Sequence, residues 1–163
     1  MNEQQPLIKK VAIDEENQNS EKPMKLTKKF IVVVAAYVLY SLVAGFKMAL
    51  LPTGKGWRLF SWHPFLMVLG VIGMIGVSLS TKKLGGYKNT KMHGILAITG
   101  LLMAFGGLYA IYRNKNLHGK PHFKSVHAVL GIITLSGMTF SMLAGLIFLH
   151  PDFGTAKQDE KKR

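Results

Sequence analysis

Four stretches of this sequence are each long enough and apolar enough to cross a lipid bilayer, and that constraint decides most of what the chain can become. Phe30 to Leu51, Phe60 to Thr81, Met92 to Tyr112 and Ser125 to Leu149 each continue with almost no charge inside them. A hydrocarbon core of about 30 Å is crossed by about 20 helical residues rising about 1.5 Å each, and every one of these blocks reaches that length. Lys47 alone sits within a block, near its end, where its stem can reach the headgroup level. The sequence therefore predicts an all-α membrane protein, a four-transmembrane-helix bundle forming one domain over 30–150. Its spans are 30–51, 60–81, 92–112 and 125–149, between a polar N-terminal tail (1–29) and a polar C-terminal tail (150–163).

The formal charge of +13 does not point to nucleic acid. The basic residues lie almost entirely in caps and loops, where they meet anionic lipid headgroups, so the expected partner is membrane lipid. The absence of cysteine excludes disulfides, thiolate metal sites and cysteine nucleophiles. The segment before Phe30 has no apolar core, unlike a cleaved signal peptide, and Asp14, Glu15, Glu16 and Glu21 make it unlike a mitochondrial presequence, so the first helix reads as an uncleaved signal anchor. Lysine and arginine concentrate in the N-terminal segment, the loop at 82–91 and the C-terminal tail. The opposite loops carry fewer, which predicts both termini on the cytoplasmic side of an endomembrane or the plasma membrane. No phosphate-binding loop, His-Glu-x-x-His motif or nucleophile elbow is present. The spans also lack the carboxylates and proline breaks typical of transporters.

The last three blocks share a layout that the first lacks. Each opens with a histidine: Ser61-Trp62-His63-Pro64, Lys91-Met92-His93-Gly94 and Ser125-Val126-His127-Ala128. From His63 to His93, and from His93 to His127, the interval is one span plus one loop, as in a repeat of a single unit. A helix brings i, i+4 and i+7 onto one face. From His93 that face reads Ala97, Gly100, Ala104, Gly107; from His127 it reads Gly131, Thr134, Met138, Ser141, Gly145; from His63 it carries Gly70, with Gly73 and Gly76 to one flank. Glycine inside a helix costs up to about 1 kcal/mol against alanine, so these stripes need a reason. Close helix packing is one. A groove of small side chains beside a flat macrocycle is the other.

Alternating topology puts His63 and His127 at the same depth on one side, and His93 near the opposite face. Two neutral imidazoles at one depth on facing helices are what bis-histidine haem ligation requires, and a haem with both axial positions filled transfers single electrons. Each histidine could instead be an interfacial polar group with a wet partner. Arg58, Lys120 and Lys124 flank the His63–His127 end and suit haem propionates, or act as ordinary solvated charges. His118 and His122 mimic a metal pair by spacing, but Gly119 and Pro121 argue against a helix there.

The Ser-Trp-His-Pro opening of the second span, the Lys-x-His of the third, and Lys120-Pro121-His122-Phe123-Lys124-Ser125-Val126-His127 before the fourth resemble the cytochrome b561 family over roughly residues 55 to 150. The resemblance implies a transmembrane electron carrier passing electrons from an ascorbate-like cytoplasmic donor, through haem b, to ferric iron or monodehydroascorbate. It implies His63 and His127 as ligands of the non-cytoplasmic haem iron and His93 as a ligand on the cytoplasmic side. Lys91 falls in the donor-side basic patch, while His118, His122 and Lys124 border the acceptor side. Family members carry six helices, and the second ligand of the cytoplasmic haem comes from the fifth, which this sequence does not present. His150 lies on the right side for that role but at interfacial depth, before Pro151. One haem b per chain is thus expected, with a second only through a partner or a second copy, in a homodimer or larger membrane complex. The enzyme reading is a transmembrane ascorbate-dependent ferric reductase. The alternative is a non-catalytic structural subunit of a larger membrane complex that keeps the b561-like fold.

Overall fold

The computed structural model describes residues 27–51 and 56–149. They form four helices, α1 (Lys28–Leu50), α2 (Leu59–Lys82), α3 (Tyr87–Leu117) and α4 (Val126–Leu149), each long and apolar enough to span a bilayer. The helix ends obey ordinary capping chemistry. Thr27 caps α1 by accepting the Phe30 amide at 3.2 Å, and Ser125 caps α4 by accepting the Ala128 amide at 3.2 Å. Gly85 and Gly86, at φ +67 and +82, make the tight turn between α2 and α3, a backbone path that costs glycine nothing. Gly119, at φ +61, ends α3 in a Schellman motif, with Lys120 N–H reaching Lys115 O at 2.9 Å and Gly119 N–H reaching Asn116 O at 3.2 Å.

α3 overruns its apolar block at both ends and reaches 31 residues. The polar turns Tyr87–Lys91 and Arg113–Leu117 remain helical because nothing in them breaks a helix before the flanking glycines do. α2 is less regular. It opens with a 3-10 turn at Leu59–Ser61, tolerates Pro64 in its first α turn, and passes through a π segment at Val68–Met74 before finishing as an α-helix. The wider π turn redistributes the glycines: Gly70 faces α3, whereas Gly73 and Gly76 face α1.

α2 lies between α1 and α3, and its glycines are packing glycines. A Cβ on Gly70 would stand 2.6 Å from Gly100 O, and one on Gly100 would stand 2.7 Å from Gly70 O, so the α2 and α3 backbones touch reciprocally. Gly73 receives Ser41 and Gly76 receives the Tyr37 ring from α1. α4 is different. It rests on its neighbours through Leu135, which packs with Leu101 and Ala104 and is surrounded by Met67, Val71, Leu108, Met138 and Met142. A Cβ at Gly131, Gly137 or Gly145 would meet nothing within 4 Å. Of the two explanations for the glycine stripes, close packing accounts for α2 and α3, and α4 keeps an open face. Beside α1, the rings of Phe46, Trp57, Trp62 and Phe65 cluster edge to face at the end that also carries His63.

Candidate metal centre at one end of the bundle

His63 lies in the first turns of α2, and its Nδ1 is 2.9 Å from the carbonyl oxygen of Gly107 on α3. A carbonyl only accepts, so Nδ1 carries the hydrogen and Nε2 keeps its lone pair. Gly107 makes this contact possible: a Cβ there would already stand 3.2 Å from the backbone oxygen of His63. Across from His63, the His127 ring of α4 has its centroid 6.3 Å away, with the two ring planes at 87°. A metal ion bound at about 2 Å from one nitrogen of each ring sets the centroids about 6 Å apart. A ligating imidazole whose second nitrogen donates to a backbone carbonyl is the usual way a metal-binding ring is fixed in tautomer and direction. Among the described residues no group of three or more metal-ligating side chains gathers, so the pair supplies two positions and the others must come with the metal. One turn beyond His127, the space beside Gly131 is open.

At the opposite end of the same helix pair, His93 is seated in the same way. Its Nδ1 is 3.0 Å from Ser78 O and 2.8 Å from Ser78 Oγ, and that hydroxyl donates to His93 O at 2.8 Å. Ser78 is fully buried. α2 and α3 thus run antiparallel, each placing a histidine against a carbonyl near the far end of the other, with the Gly70–Gly100 contact between the two seats. His150 lies outside the described residues.

The remaining sequence-predicted residues divide between the two ends. Arg58 precedes α2 and Lys124 precedes α4; both are exposed at the His63–His127 end. Lys91 lies near His93, its Nζ donating to Tyr87 Oη at 3.0 Å and resting 5.0 Å from the centre of that ring. His118 and His122 lie in the α3–α4 connection, as expected of a non-helical segment, but each is tied down. His118 Nδ1 donates to Asn114 O at 2.7 Å. His122 Nε2 donates to Asn116 Oδ1 at 2.7 Å, and the ring stacks on Tyr112 at 4.6 Å and 26°. Sequence reasoning missed the seats themselves, Gly107, Ser78 and Asn116. Spacing held one signal: Ser78 follows His63, and Gly107 follows His93, at nearly the same interval, most of a bilayer crossing along the same helix.

The part of the chain that holds His63, His93 and His127 is similar to known proteins. The family described as eukaryotic cytochrome b561 matches residues 62–159. Transmembrane ascorbate ferrireductase 2 of Arabidopsis thaliana is 31% identical over 93 residues, covering 55% of this chain and 40% of that protein. A plasma membrane ascorbate-dependent reductase of Mus musculus is 27% identical over 109 residues, 60% of this chain and 38% of that protein. A lysosomal membrane ascorbate-dependent ferrireductase of Mus musculus is 30% identical over 100 residues, 57% of this chain and 41% of that protein. The chain spans about two-fifths of the length of the curated relatives it matches.

Proposed function

Because the chain belongs to the eukaryotic cytochrome b561 family, we propose that it is a membrane electron-transfer protein that holds one haem b between His63 and His127 and passes single electrons from an ascorbate-type cytoplasmic donor to ferric iron or monodehydroascorbate on the other side. The observation that carries this reading is the pairing of the two rings at 6.3 Å, with one of them already oriented by Gly107 O. Held by His63 and His127, haem b would supply one-electron chemistry. Arg58 and Lys124, exposed beside the starts of α2 and α4, would pair with its propionates, and the open space beside Gly131 would give its ring room. His118 and His122 lie on the acceptor side. Lys91 lies on the donor side with His93, whose seat is complete but whose ring needs a second ligand from a partner or a second copy. Both termini are assigned to the cytoplasm by the distribution of lysine and arginine, and the relatives' names point to the plasma membrane or the lysosome as the setting.

The test is the visible spectrum of purified full-length protein with its haem-to-chain ratio. Sharp reduced-minus-oxidised bands of a low-spin haem at about one haem per chain are expected from bis-histidine ligation. Their loss in His127→Ala, with the protein still helical, assigns the ligand; unchanged bands in that variant would refute the assignment. The open face of α4 favours a second reading, a structural subunit that retains the fold, for which the wild-type protein shows no haem bands at all.

A further inference from the structure

The end of the bundle opposite the His63–His127 pair is strongly basic. α1 and α2 run antiparallel, with Gly45 against Phe65, Ser41 against Gly73 and Tyr37 against Gly76, so the start of α1 lies level with the end of α2 and its turn into α3. Lys28 and Lys29 of α1, Lys82 and Lys83 at the end of α2, and Lys88 and Lys91 in the first turns of α3 are all exposed. Two of them are steadied by uncharged groups: Lys82 Nζ donates to Thr90 Oγ1 at 3.4 Å, and Lys91 Nζ donates to Tyr87 Oη at 3.0 Å. None of the chain's 8 Asp and Glu residues lies among the described residues, so any carboxylate of this chain that meets the lysine rim comes from a terminal segment.

The two terminal segments are not equivalent. Asp14, Glu15, Glu16 and Glu21 place four carboxylates within eight residues that hold no Lys or Arg. In the C-terminal tail, Asp159 and Glu160 stand between Lys157 and the run Lys161, Lys162, Arg163, which outweighs them. Reach also favours the N-terminal run. From Thr27 back to Glu21 the chain extends up to about 20 Å, and packed helix axes lie about 8–10 Å apart. The run therefore spans from the start of α1, across the end of α2, to the first turn of α3. One exposed ion pair is weak in water, but a short tether raises the local concentration of the acidic run to about the millimolar range, and several pairs then act together.

We propose that the acidic run Asp14–Glu21 docks on the lysines of the α2–α3 turn as a reversible counter-charge and competes there with anions arriving from the same side. The docking follows from charge and reach alone. Its consequence for electron entry rests on the function proposed above. An anionic donor then meets a rim already partly neutralised by the chain itself, and the docked run acts as a brake that salt releases.

The experiment treats full-length protein in phosphatidylcholine nanodiscs with a water-soluble carbodiimide, which joins a carboxylate to an amine only where the two meet. Mass spectrometry of the joined peptides is the readout. Bonds from Asp14–Glu21 to Lys82, Lys83, Lys88 or Lys91 are expected at low salt, and their loss at about 1 M salt, where charges act over roughly 3 Å. Bonds that avoid the turn, or bonds to it from the C-terminal tail instead, would overturn the proposal. So would their disappearance in nanodiscs rich in phosphatidylserine, because the rim then belongs to lipid headgroups. In haem-loaded protein, the combined variant Asp14→Asn, Glu15→Gln, Glu16→Gln and Glu21→Gln should need about fivefold less ascorbate for half-maximal haem reduction at low salt, the equivalent of one exposed ion pair at its strongest. The maximal rate, and reduction by an uncharged hydroquinone, should not change. An unchanged half-saturation would overturn the competition, and equal changes for both reductants would overturn it as well. Wild-type protein without haem bands would overturn the function proposed above, while the carbodiimide bonds still decide the docking.

Discussion

At one end of the α2–α3 pair, His63 donates to Gly107 O and its ring lies 6.3 Å from that of His127; at the other, His93 donates to Ser78, and the other described histidines all lie at the far end. The seats are the same device used twice in opposite directions. What separates the ends is the helix placed opposite. Two antiparallel helices in reciprocal contact can orient an imidazole at each face of a membrane, but each ring becomes half of a metal site only when a further helix brings its partner to the same depth. α4 brings the His127 ring opposite His63. Orientation thus belongs to the α2–α3 pair and completion, on the proposed reading, to its neighbours, and substitutions can attack the two functions separately.

The largest effect should come from removing a ring at the completed end. His63→Ala is expected to abolish haem bound at that end, because it removes the imidazole that Gly107 O orients and leaves His127 as the one ring that would hold the group there. His93→Ala should leave that haem in place. Haem-to-chain ratio and the reduced-minus-oxidised spectrum measure both. If His93→Ala removed the same bands, the two ends would not be independent and the comparison would fail.

Gly100→Val comes next and should damage both ends together. The added atoms would stand against Gly70 O at 2.7 Å and the Ile75 side chain at 2.8 Å, so the helices must separate or shift. Overpacking of that kind costs about 1–3 kcal/mol. A lower thermal midpoint in detergent is expected, with reduced haem occupancy at the His63 end, although the substituted residue touches neither histidine.

Much of this is legible in the sequence. The apolar blocks give the helices because bilayer thickness fixes how long a spanning segment must be, and the three histidines stand out because an ionisable group in such a block is conspicuous. The seats were hidden because they are backbone carbonyls, which every residue possesses; nothing in the letter Gly at 107 marks its oxygen as the acceptor for His63. The π segment of α2 was hidden as well. The spacing of Gly70, Gly73 and Gly76 reads as a drifting stripe on a regular helix, and only the wider turn shows that one glycine serves α3 and two serve α1. The capping of His122 by Asn116 depends on the Schellman turn folding the chain back at Gly119, a register that composition alone does not set.

Ser78→Ala probes the uncompleted end more gently. It deletes the hydroxyl that donates to His93 O and leaves Ser78's carbonyl to hold Nδ1. A loss of about 1 kcal/mol in stability is expected for one buried hydrogen bond. Haem at the His63 end should be unaffected, since no contact links that hydroxyl to it. Thermal unfolding and the visible spectrum, read on the same samples, separate the two.

The smallest effect is the one most informative about α4. Gly137 lies on its open side, and a Cβ there would meet nothing within 4 Å. Gly137→Ala should therefore shift stability by no more than about 1 kcal/mol, in the stabilising direction if helix propensity alone acts. Gly100→Ala, the same chemical change, puts its new carbon 2.7 Å from Gly70 O and should destabilise clearly. Measured side by side in detergent and again in lipid, the pair reports what covers α4. If Gly137→Ala is neutral in both, that side faces lipid and α4 acts only as the carrier of His127. If it becomes costly in lipid, something packs there that the isolated chain does not supply, and completing the His93 end then becomes a question about that neighbour.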